Sequence, residues 1–149
     1  MIPKHDRPLV LLLVEDSPGD VRLIQEAFRS TDTVVDLHVV TDGAEAMPFL
    51  RREGEQAGAP RPDLILLGLN LPEMAGREVL AEIKEDPGLR AIPTVILTSV
   101  EGRADVVKSY ELQANAYLIK PVDLDAFESL VKSINDFWVH LVQFPHVPR

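Results

Sequence analysis

The residues able to do chemistry gather in four short stretches of this 149-residue chain: Glu15-Asp16, Gly68-Leu69-Asn70, Thr98-Ser99 and Lys120-Pro121. Each directly follows an apolar run. Adjacent carboxylates repel by about 4 kcal/mol when about 4 Å apart at an effective dielectric of about 20, so Glu15-Asp16 asks for a divalent cation or for Lys120 as counter-charge. Magnesium suits such a place, because it takes hard oxygen ligands and usually keeps several waters. A flavin or nucleotide phosphate does not. It needs a loop of free N–H groups, rich in glycine and hydroxyls, whereas this loop opens with two negative charges. His5, His38, His140 and His146 are scattered without ligand spacing and read as structural or solvated. Cysteine is absent, which removes thiolate metal sites, thiol nucleophiles and disulfides.

The elements that must carry these residues alternate. Leu9 to Val14, Val34 to Val40, Asp63 to Leu69, Thr94 to Thr98 and Ala116 to Ile119 read as five strands, each apolar on both faces, with helical patterns between them. Ser17 is the expected N-cap of the first helix, with Pro18 at its first position and Asp20 completing an acidic capping box. Asp42 and Glu45 repeat that logic for the second helix, in which Pro48 is expected to introduce a bend. Gly54 to Pro62 reads as an exposed loop. Five β-α units of this kind imply an α/β fold, a doubly wound parallel sheet with helices on both faces. Ligands of such sheets sit beyond the carboxyl ends of the strands, where the four polar stretches fall.

Composition narrows the function. A net charge of -9, from 24 acidic and 15 basic side chains, repels phosphodiester backbones and argues against direct nucleic-acid binding. No run approaches the roughly 20 apolar residues of a membrane helix, nor does Met1 to Pro8 hold a signal-peptide core, so the chain reads as cytoplasmic with no membrane partner. One domain over residues 9–143 is expected, between tails at 1–8 and 144–149.

Val14-Glu15-Asp16, Asp63-Leu-Ile-Leu-Leu, Leu69-Asn70-Leu71-Pro72, Leu97-Thr98-Ser99 and Tyr117-Leu118-Ile119-Lys120-Pro121 together resemble the receiver domains of two-component response regulators, from about Leu9 to Trp138. The resemblance implies a flavodoxin-like, five-stranded parallel sheet of order 2-1-3-4-5 with five helices. It implies a signalling protein rather than an enzyme, with a sensor histidine kinase as partner. Glu15 and Asp16 are then the magnesium ligands, joined by a carbonyl from Asn70. Thr98, Ser99, Tyr117, Lys120 and Pro121 take the phosphate-sensing and switch positions, and the Lys120-Pro121 peptide is often cis in the family. Arg61-Pro62-Asp63, the stretch Arg77 to Lys84 and the C-terminal helix are also similar to the small stand-alone receivers paired with bacterial phytochrome kinases.

The family's phosphate-accepting aspartate corresponds to Gly68. Glycine offers no nucleophile, so aspartyl phosphorylation at this position is expected to be lost and magnesium binding weakened. Lys120, without its usual partner, is expected to turn to Asp16 or Glu15, leaving a small pocket. The alternative to a phosphorelay regulator is a phosphate-independent pseudo-receiver acting as a structural or adaptor module. An aspartyl-phosphate hydrolase fails for want of a nucleophile.

The last helix carries apolar residues at three-four spacing from Phe127 to Val142 and is longer than a crossover needs. Phe137, Trp138, Leu141 and Phe144 are expected to be exposed at its projecting end and to form a homodimer interface.

Overall fold

The computed structural model describes residues 8–31, 34–71, 73–99 and 102–145. His5, His146, Pro72, most of both expected tails and the side chain of His140 lie outside the described residues.

The chain alternates strand and helix throughout: β1 (Leu9–Val14), α1 (Pro18–Arg29), β2 (Val35–Val40), α2 (Gly43–Arg51), β3 (Leu64–Leu67), α3 (Gly76–Glu85), β4 (Thr94–Thr98), α4 (Arg103–Glu111), β5 (Ala116–Ile119) and α5 (Leu124–Ile134). All strand pairings are parallel, and the order is β2-β1-β3-β4-β5, as the family resemblance implies. Alternate residues of the central strands serve opposite faces. Leu12, Val14, Ile65, Leu67 and Ile96 pack beneath α2 and α3, whereas Leu11, Leu13, Leu64, Leu66, Val95 and Leu97 pack beneath α1 and α5. Both faces are covered, which is why the central strands β1 and β3 contain no polar residue, whereas the edge strand β2 alternates Asp36 and His38 with apolar residues.

The expected caps form. Asp20 N donates to Ser17 Oγ (3.4 Å), and Glu45 N donates to Asp42 Oδ1 (2.7 Å). Pro48 is accommodated near the end of α2, which runs on to Arg51 before Arg52 closes it in the left-handed region (φ 58°). The expected loop at 54–62 is only partly exposed: it holds a 3-10 turn over Gly54–Gln56, and Ala59 and Pro62 are buried. β3 is shorter than the apolar run that announces it, although Asp63 and Gly68 still hydrogen-bond to β1 through Val10 and Val14 (2.7 and 2.9 Å).

The C-terminus departs from expectation. After Ile134 the helix widens into a π-type turn over Asn135–Leu141, sealed by Val142 N donating to Phe137 O (3.0 Å). The wider turn changes which residues face inward. Phe144, expected to be exposed, is 3% exposed and packs into the α1/α5 core. Trp138 is half-buried beside it at 6.2 Å between ring centroids. Phe137 and Leu141 alone of the four keep the expected exposure, at 52% and 68%.

Candidate functional site

The carboxyl edge of the sheet is built around one buried carboxylate. Glu15 N donates to Val40 O (3.0 Å), which continues the β1–β2 ladder one residue past the strand and turns the Glu15 side chain under the loop. Glu15 is 3% exposed. Its Oε2 accepts from Ser17 N (3.1 Å), and its Oε1 accepts from Lys120 Nζ. Lys120 is delivered by β5 and anchored by its own N–H, which donates to Thr98 O (2.8 Å). Its ammonium makes a second ion pair with Asp20 Oδ2 at 2.8 Å. Burial alone lowers the Lys120 pKa, but the hydrogen bonds and charges of Asp20 and Glu15 outweigh it and hold the pKa above its ordinary 10.5.

Lys120 therefore turns to Glu15, one of the two expected partners, and not to Asp16. Asp16 is exposed on the loop, as are Asn70 and Ser99, while Thr98 is buried at the end of β4. Tyr117 is half-buried against the α2/α3 core, and its backbone N–H donates to the Tyr110 hydroxyl at 3.2 Å. Burial raises the Tyr117 pKa above 10.0, and the nearby Asp105 carboxylate adds to the effect. The Lys120-Pro121 peptide is trans. His38 packs on the Phe49 ring, with Nε2 3.1 Å from Asp36 Oδ2.

Asp20 is the site residue that sequence reasoning missed. Its spacing from Ser17 marks it as a cap, yet the Ser17 N–H that a capping-box carboxylate would serve is taken by Glu15. The Asp20 carboxylate is thereby left for Lys120.

Gly68 closes β3 at the same edge, with Gly68 N donating to Val14 O (2.9 Å). Its φ is not in the left-handed region, so the backbone does not demand glycine. A Cβ there would lie 3.3 Å from Val14 O, 3.5 Å from Leu71 Cδ2 and 3.7 Å from Glu15 Oε1. A Cβ there asks the Val14 carbonyl to give by a few tenths of an ångström. Gly76 differs: a Cβ would stand 1.9 Å from Gly68 O, and only glycine lets the start of α3 pack on the Gly68-Leu69 backbone.

A magnesium ion fits this arrangement poorly. Both oxygens of Glu15 are engaged, and the Lys120 ammonium supplies the positive charge that the acids need. Among the described residues no three His, Asp or Glu side chains stand close enough together to hold a metal. Nor does any helix among them have the length and apolarity to cross a membrane.

The pattern of the response regulator receiver domain matches residues 11–132. The chain belongs to that family. Response regulator Rcp1 of Synechocystis sp. is 46% identical over 145 residues, which span 97% of this chain and 99% of Rcp1. The probable methanogenesis regulatory protein FilR2 of Methanothrix harundinacea is 36% identical over 132 residues, 89% of this chain and 84% of its own. Among solved structures, the Mn(2+)-bound form of Rcp1 superposes with a TM-score of 0.90 at 48% identity, covering 93% of this chain and 99% of that one. The phosphorylated cyanobacterial phytochrome response regulator RcpA superposes with a TM-score of 0.91 at 47% identity and the same coverage. The receiver fold thus extends over nearly the whole chain. In this receiver a lysine and two carboxylates meet at the carboxyl edge of the sheet, with glycine at the end of β3.

Proposed function

We propose that this chain is a stand-alone receiver of a phytochrome-class two-component system, signalling by contact with a sensor histidine kinase, and that its aspartyl phosphorylation site has been lost at Gly68. The reading rests on one observation: position 68 bears no side chain, and the lysine beside it is engaged by Glu15 and Asp20. The high identity to Rcp1 and RcpA over their full lengths supports the phytochrome assignment. Divalent-cation binding is correspondingly weaker than in the Mn(2+)-binding relative, because one carboxylate is missing and another is paired.

The buried Thr98 and the half-buried Tyr117 keep the frame of a switch, which favours a regulator that has lost its acceptor. The pairing of Lys120 with Asp20 favours the second reading, an adaptor that never responds to phosphate. Titration of the chain onto a phytochrome-class histidine kinase, with and without acetyl phosphate and magnesium, tests the shared core of both. Binding with unchanged affinity in the two conditions is expected. A phosphodonor-dependent change in affinity contradicts it.

Homodimerisation uses the exposed Phe137 and Leu141, one helical turn apart on the π-type turn. Phe137→Ser with Leu141→Ser lowers the molar mass seen by light scattering from dimer to monomer. Removal of the whole C-terminal segment is a poor test, because Phe144 belongs to the core.

A further inference from the structure

We propose that Asp20 has taken over as the counter-charge of Lys120 at a receiver edge without a carboxylate at position 68, and that this clasp ties the first turn of α1 to the end of β5. The proposal rests on reading Gly68 as a vacated acceptor position. Three observations carry it. The first is the division of hydrogen bonds: Glu15 Oε2 serves Ser17 N, which frees the Asp20 carboxylate from capping, and Glu15 Oε1 and Asp20 Oδ2 then share the Lys120 ammonium. The second is burial. Side-chain exposures of 13% for Lys120 and 5% for Glu15 mean that the ammonium meets little water and gains from each further oxygen.

The third is geometry at Gly68. A Cβ there stands 3.7 Å from Glu15 Oε1, the same oxygen that holds Lys120. A carboxylate introduced by Gly68→Asp would approach that oxygen, repel Glu15 and compete for the ammonium. The hold of Asp20 on Lys120 is therefore conditional on the residue at position 68. A plain helix-dipole or capping role for Asp20 carries no such condition, since Asp20 would act on α1 alone.

Four proteins decide the matter: the chain itself, Asp20→Asn, Gly68→Asp and the double variant, melted in metal-free buffer. Asp20→Asn preserves shape and the Asp20 N to Ser17 Oγ bond. It is expected to lower Tm by about 3 to 6 °C in the parent chain and by about a third of that or less in the Gly68→Asp background. Equal shifts in the two backgrounds, or none in the parent, overturn the proposal. If Gly68→Asp fails to fold, Asp20→Asn in the Lys120→Met background replaces it. There the Asp20→Asn shift must largely vanish, and a full shift overturns the proposal. Slow hydrogen exchange of the Lys120 ammonium, lost in Asp20→Asn, is the independent spectroscopic sign. Phosphate uptake by Gly68→Asp separates this proposal from the reading beneath it. Uptake with equal Asp20→Asn shifts defeats only the clasp. No uptake with unequal shifts defeats only the acceptor reading.

Discussion

The two edges of the sheet each hold one inward-turned lysine, and the two lysines live under opposite rules. Lys120, at the carboxyl edge, is gripped by two carboxylates, and its pKa is held above 10.5. Lys84, at the amino edge, reaches from α3 to Arg90 O (3.2 Å), Ile92 O (3.3 Å) and Asn115 Oδ1 (3.1 Å). Those acceptors are neutral, so burial goes uncompensated and its pKa falls below 10.5. Asn115 Oδ1 also accepts from Thr94 N (2.8 Å), which makes the Lys84 cluster a staple between α3, β4 and the entry to β5. Hydrogen-bond number is similar at the two edges. The charge of the partners decides in which direction burial leaves each lysine's pKa.

Replacement of each lysine by methionine is the strongest way to break this contrast. Lys120→Met leaves Glu15 buried without its counter-charge and is expected to cost about 2 to 4 kcal/mol in urea unfolding. Lys84→Met leaves only carbonyl oxygens near water and is expected to cost about 1 kcal/mol. Equal costs would mean that the carboxylates add nothing. Gly76→Ala sharpens the same edge from the packing side. Its Cβ would force the Gly68-Leu69 backbone to move, at about 2 kcal/mol or more, whereas Gly19→Ala meets nothing within 4 Å and should lie within about 0.5 kcal/mol of the parent.

Metal binding distinguishes the edges next. Lys120→Met unmasks Glu15 and Asp20 and is expected to raise Mn2+ affinity roughly tenfold by calorimetry, while Lys84→Met leaves it unchanged. The smallest effect is the alkaline one. The Lys120 pKa is higher folded than unfolded, so its stabilisation is complete below pH 10.5 and is lost as pH rises through the folded value. Lys84 has the opposite sign: its charged form is disfavoured in the folded state, and that penalty is relieved as pH climbs through the lowered pKa toward 10.5. Urea unfolding from about pH 8 to about pH 11 should show the parent falling toward Lys120→Met and rising relative to Lys84→Met. Parallel curves would remove the distinction.

How much of this was legible in the sequence follows from range. Strand and helix order, the caps at Ser17 and Asp42 and the convergence of Glu15, Thr98 and Lys120 depend on local pattern and on the topology that parallel β-α units force, and all are as expected. Asp20 was hidden because a local role explained it fully. Only the contact of Glu15 with Ser17 N, set by how β1 ends, releases its carboxylate to a lysine 100 residues away. Phe144 was misplaced for a similar reason. An uninterrupted 3.6-residue period would carry the C-terminal end outward, and one π-type turn, invisible to that period, brings Phe144 back to the core. Gly68 was legible as a missing nucleophile, while the fact that its backbone conformation does not require glycine was not.

The loss of the acceptor is tested most directly by incubating the chain and Gly68→Asp side by side with acetyl phosphate and magnesium and measuring acid-labile phosphate per chain. None on the chain as it stands and near-stoichiometric uptake by Gly68→Asp is the expected result. Stoichiometric phosphate on the unaltered chain would contradict it.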